Sequence, residues 1–174
     1  MSLVIVETVT EKPMTDADLQ EADEIGLPCL QAHGVTWRYS LLSSDRYQMI
    51  CLFDAPDAMS VRNSYAKLGV DKRAIWAGEL LQPQDISLQQ DLTELYVIQA
   101  HYPVLSEAEW NEVQQKFVQC CTASGVKWLR SYVSLDRTRV IYELDAPDAD
   151  SLGEVQRQAG LSRNGVWMAQ RLLP

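Results

Sequence analysis

Two histidines and a few charged side chains set into apolar strands are the residues of this 174-residue chain that could do chemistry. His101 closes an apolar segment just before Tyr102-Pro103. An imidazole changes charge near neutral pH, so it can serve as a base or a metal ligand. His33 falls at the end of a helical segment, where a partly charged ring suits the helix dipole. Glu7 interrupts the first apolar strand, and Glu143 interrupts a later one between Tyr142 and Leu144. Two carboxylates entering one apolar cavity are the kind of pair that acts as a base or binds a cation. Arg38 and Arg130 fall on neighbouring strands, placed to neutralise them. Tyr39, Tyr96 and Tyr132 are placed to line the same cavity, as are Trp37, Trp76, Trp128 and Trp167 if they are not simply core. The expected ligand-binding set is therefore Glu7, Arg38, Tyr96, Arg130 and Glu143, with His101 as the metal candidate.

Familiar catalytic signatures are missing. There is no phosphate-binding glycine loop, no GxSxG and no HExxH. Two histidines without a local signature do not define a triad. Four cysteines without CxxC spacing point to packed thiols in a reducing, cytoplasmic setting. A net charge of −9 argues against nucleic acid as a partner. No apolar run reaches the ~18 residues that a membrane span needs. The expected partners are a small molecule or a metal ion, with the chain a monomer or a homodimer.

The elements that must position these residues are written twice. A shift of 91 residues lays Asp54-Ala55-Pro56-Asp57-Ala58 on Asp145-Ala146-Pro147-Asp148-Ala149. The same shift lays Trp37 on Trp128, Trp76 on Trp167, and Asp45-Arg46 on Asp136-Arg137. Such self-similarity marks a duplicated unit. The expected division is 1–83 for the first repeat, 84–93 for a polar linker and 94–174 for the second repeat.

Each copy opens with a β-branched strand, then a hydroxyl-carboxylate helix start, Thr15-Asp18 or Ser106-Glu109. Gly34 and Gly125 close that helix, which Pro28 should kink in the first copy only. A hairpin turning at Asp45-Arg46 or Asp136-Arg137 follows, then a helix started by Ala-Pro-Asp, then a last strand. This order, βαββαβ, is the ferredoxin-like unit, and two in tandem make an α+β protein. Met49-Ile50-Cys51-Leu52-Phe53 is apolar throughout, so both faces of its strand should be covered. The expected cover is the sheet of the other copy, packed sheet to sheet as in dimeric α+β barrels.

Ser131-Tyr132-Val133-Ser134-x-Asp136-Arg137, the apolar strand after it, Ala-Pro-Asp-Ala and a Val-Arg helix together resemble a bacterial domain-of-unknown-function family. That family includes small nickel-binding proteins with a tandem ferredoxin-like fold. The family strand Cys-Leu-Tyr-Glu-Ala keeps its cysteine here as Cys51 and has Tyr142 in the second copy. Val61-Arg62 matches the helix motif, where the second copy has Leu152-Gly153. The resemblance covers both copies and implies the fold and metal binding, with nickel as the metal. Two readings follow. One is a non-catalytic small-ligand or metal-binding protein. The other is a cofactor-free oxygenase or isomerase of the dimeric α+β barrel type, with His101, Glu7 and Glu143 as candidate bases.

Overall fold

The computed structural model describes residues 1–69, 74–84, 92–162 and 164–174. The expected linker at 84–93 lies, apart from its ends, outside the described residues. Two units are compact. The first comprises Met1–Gly78 with Gln170–Pro174, and the second comprises Glu79–Ala169.

The first unit runs β1 (Ser2–Val9), α1 (Asp16–Glu21), a π-helical turn (Ala22–Gly26), α2 (Leu27–Ala32), β2 (Thr36–Ser43), β3 (Gln48–Ala55), α3 (Ala58–Lys67) and β4 (Ala74–Leu81). β4 pairs with β1, β1 with β3, and β3 with β2, all antiparallel. The second unit carries β5 (Glu94–His101), α4 (Glu107–Ala123), β6 (Lys127–Ser134), β7 (Arg139–Asp145), α5 (Ala149–Ala159) and β8 (Val166–Leu172), whose last residues belong to the first unit. There β5 pairs with β7 and β7 with β6, again antiparallel. Both copies are the ferredoxin-like βαββαβ unit, and the fold class is α+β.

Local chemistry explains why the same elements form twice. In each hairpin turn a serine and an aspartate exchange hydrogen bonds with the backbone. Ser43 Oγ donates to Asp45 Oδ1 at 2.6 Å, and Tyr47 N–H donates to the same oxygen at 3.1 Å. Ser134, Asp136 and Thr138 repeat this at 2.6 and 3.1 Å. The turn forces Arg46 and Arg137 to positive φ, 65° and 60°, a conformation that costs a side-chain-bearing residue strain. Asp57 and Asp148 cap α3 and α5 by accepting from the Ser60 and Ser151 N–H groups, each at 2.7 Å. Both capping boxes close, and the shorter Asp18 carboxylate suffices in the first copy.

The two long helices differ. Residues 107–123 form one uninterrupted helix, α4, whereas the matching 16–32 segment is α1, π-turn and α2. Pro28 cannot donate the helical N–H, and it sits at the start of α2, where that bond is not needed. The expected kink is thus a π-turn just before the proline.

Alternation along the strands buries both faces. Cys51 and Phe53 join the first unit's helix-facing core, while Ile50 and Leu52 on the other face are 1% and 0% exposed. The fully apolar run of β3 is accounted for by this double burial.

The turn aspartates make stability depend on acid. Hydrogen bonds from Ser134 and the Thr138 N–H hold Asp136 at about 2, and Asp45 is likewise lowered by Ser43 and Tyr47. A folded pKa below the unfolded one gives stability that is complete above the ordinary carboxylate range and is lost as pH falls. Unfolding monitored by circular dichroism should therefore weaken from about pH 5 down to about pH 2. Asp45→Asn with Asp136→Asn should flatten that dependence; an unchanged acid profile would remove these turns as its source.

Candidate functional site

Of the residues expected to gather in a site, Arg130 and Glu143 are brought together by a cross-strand pair. They face each other in the register of β6 and β7, with Arg130 Nε 3.2 Å from Glu143 Oε2. Their side chains are 9% and 1% exposed. The approach of these two atoms is close enough for an ion pair. Val140, Tyr142 and Leu144 pack with α4, which leaves Glu143 on the opposite face of β7. Repeat equivalents at this position in the first unit are Tyr39 and Leu52, also directly opposite. An apolar pair in one copy is thus a buried ion pair in the other.

The other expected residues have separate roles. Arg38 forks onto Asp54 at 2.7 and 2.8 Å, a partly exposed bidentate pair, which corrects its expected role of neutralising Glu7. The bulge between Trp37 and Tyr39 turns it that way. Glu7 accepts from the Trp76 indole N–H at 2.6 Å. Tyr96 packs on the second unit's core, and Tyr132 is buried. His101 is exposed at the end of β5, opposite Arg139. His33 bonds the Cys29 carbonyl through Nδ1 at 2.8 Å, and its Nε2 is 3.1 Å from Lys67 Nζ. Trp37 and Trp128 donate to Ser40 and Ser131, three residues on in each copy.

A groove that sequence reasoning missed lies in the first unit, between the broken helix and the sheet. In the second unit the equivalent space is filled by aromatic rings. Phe117 of α4 stacks on Tyr142 of β7, with centroids 3.8 Å apart and planes 20° apart. Trp110 meets Tyr102 edge-on at 5.9 Å. Tyr102 and Tyr142 share a 2.9 Å hydroxyl contact, and burial pushes both phenols up. The 91-residue shift replaces Trp110, Phe117 and Tyr142 with Leu19, Gly26 and Cys51. A cavity of about 430 Å³ opens there, with Leu19, Trp37, Cys51, Phe53 and Tyr65 in its walls. A second hollow of about 290 Å³, sharing Ala22, Leu30 and Tyr65 with it, passes Gly26. A Cβ on Gly26 would meet only Leu68 Cδ1, at 3.9 Å. The signal was legible in principle: three aromatics of one copy face three smaller residues of the other.

Comparison with known proteins now identifies the family. The model of the nickel responsive protein SCO4226-like family matches residues 4–77 and 96–168, most of both copies. The chain belongs to that family. Among curated proteins no match is found. Two solved structures are similar in fold. An anthrone oxidase-like protein aligns at a TM-score of 0.53 and 12% identity, over 99% of this chain and 91% of its own. A candidate chlorite dismutase aligns at 0.52 and 10% identity, over 99% and 96%. Likeness at this identity shows the fold class, that of dimeric α+β barrel proteins, and nothing of the chemistry.

Membership in a nickel responsive family asks whether this chain's residues could hold the ion. Nickel favours imidazole and mixed donors in tetragonal sites. Among the described residues no three or more His, Cys, Asp or Glu side chains cluster as a metal site. A lysine ammonium stands at His33 Nε2, and Arg139 is the cross-strand partner of His101. Cations so placed oppose a dication. The described residues of a single chain therefore do not fit a nickel centre.

The buried pair supplies a direct test of its own. Glu143→Leu alone strands the Arg130 charge and should cost about 3–5 kcal/mol in denaturant unfolding. Adding Arg130→Tyr, which installs the first unit's Tyr39–Leu52 pair, should recover most of that loss. A double variant as unstable as the single one would show that the pair is held by more than its own charge balance.

Proposed function

We propose that this chain is a non-catalytic binding protein that takes a small, largely apolar ligand into the groove of its first unit. The observation that supports this reading is the replacement of Trp110 and Tyr142 by Leu19 and Cys51, both in the groove wall, on the same scaffold, with Phe117 replaced by Gly26 in the adjoining hollow. Unfilled apolar space in a core lowers stability. A groove of about 430 Å³ also falls within the ~300–1,000 Å³ typical of small-ligand sites. Aromatic walls with few polar groups are what such sites use.

A cofactor-free oxygenase or isomerase would need a base facing its cavity. Neither histidine lines the groove, Glu7 is outside it and bonded to Trp76, Glu143 stands in the other unit against Arg130, and the carboxylate in the groove wall, Asp23, is exposed at its rim. Binding without catalysis is therefore favoured. Nickel enters through the family alone, and a groove offering Cys51 and Asp23 without imidazole does not suit it. Four free thiols fit the reducing cytoplasm. One of them, Cys121, is pushed up to about 12 by burial, with the neighbouring Cys120 adding to it, and so acts as an apolar group.

Filling the groove tests the reading. The wild-type chain should enhance and blue-shift the fluorescence of the neutral dye Nile red. Leu19→Trp, whose added ring enters the larger hollow, should abolish most of that signal. Gly26→Phe, which fills the adjoining hollow, should weaken the dye in the same direction while raising Tm by about 2–4 °C, since it also removes a helix-interior glycine, and it guards against misfolding of the first variant. Dye binding unchanged in both folded variants would overturn the groove as the ligand site.

A further inference from the structure

We propose that the ligand of this groove is a small organic cation, an aromatic or branched alkyl body carrying one ammonium group. This rests on the groove being the binding site. Three features of the first unit carry it.

The rim is acidic. Asp23 lines the larger hollow, and Asp18 and Glu21 line the smaller one, all of them exposed and on α1 or the π-turn. Hydrogen bonds from the Thr15 backbone and hydroxyl hold Asp18 below the usual carboxylate range, so it stays charged. Two guanidinium groups stand near this rim: Arg46, whose charge acts weakly on Asp18, and Arg171, which is turned away from Asp23. Arg171 borders the larger hollow, but its guanidinium carbon sits 4.2 Å from the centre of the Tyr39 ring. Tyr39 pairs with Leu52, whereas the groove residue Cys51 pairs with Ser40, so Arg171 is stacked on the other face of the sheet. Arg46 donates to the Met14 carbonyl and lies 2.8 Å from Asp16. The walls suit a cation too. Trp37, Phe53 and Tyr65 present rings, and a ring face attracts an ammonium within about 6 Å of its centroid. An anionic ligand would meet the opposite field, on a chain whose net charge is already −9.

The experiment compares three probes of one shape by titration calorimetry at low salt: 1-naphthylmethylamine, the neutral 1-naphthalenemethanol and the anionic 1-naphthoate. The amine should bind about tenfold more tightly than the alcohol, and the acid more weakly than either. Asp23→Asn combined with Glu21→Gln should bring the amine down to the alcohol's affinity and leave the alcohol unchanged. Leu19→Trp should weaken all three. Equal affinities, or a preference for the acid, would overturn the cation while leaving the groove in place. Failure of all three probes to bind, or indifference to Leu19→Trp, would overturn the groove reading itself.

Discussion

A helix laid across a sheet must be held at its distance by side chains, and everything distinctive about this molecule depends on how that gap is filled. In the second unit the spacer is a stack of rings, Phe117 on Tyr142, with Trp110 behind it. Rings of that size let α4 run unbroken for 17 residues. In the first unit the spacers shrink to Gly26 and Cys51, and the helix over them is interrupted. Close packing is the rule inside proteins, so a gap of this kind calls for either collapse or an occupant. The capped helix starts and paired strands around it resist collapse.

Duplication gave both copies one frame, and divergence then assigned different work to equivalent positions. The turns, caps and indole-serine bonds are the same to within a few tenths of an ångström in the two copies. Side chains facing the helices and those facing the other way have both drifted. Tyr39 and Leu52 on one side correspond to Arg130 and Glu143 on the other. A buried ion pair of this sort is weak evidence for stability, and the first unit keeps the same register without one.

The frame was legible because it rests on local rules. Asp57 caps a helix wherever it stands, and Asp45-Arg46 turns wherever a serine precedes it by two. Strand alternation put Glu143 on the face of β7 away from the helices, but it did not give its pairing with Arg130, which follows a bulge at Trp128/Arg130. Arg38 was misjudged because a bulge at Trp37/Tyr39 reverses the parity of β2, and bulges leave little trace in a single sequence. The groove escaped notice for a different reason. Leu19 and Cys51 are each ordinary residues in their own helix and strand, and only their convergence in space, beside the hollow at Gly26, makes a cavity. Reading the two copies against each other, position by position for side-chain size, would have exposed it.

One feature of chain order has a consequence for synthesis. Residues 170–174 belong to the first unit, and Leu172 and Leu173 form part of the groove wall. A ribosome makes them after the whole of the second unit. At ~5–20 residues per second, the earlier half of the protein waits roughly 5–20 s for its closing segment. During that interval the apolar hollow lacks one side of its wall. The amino-terminal repeat is translated first and completed last.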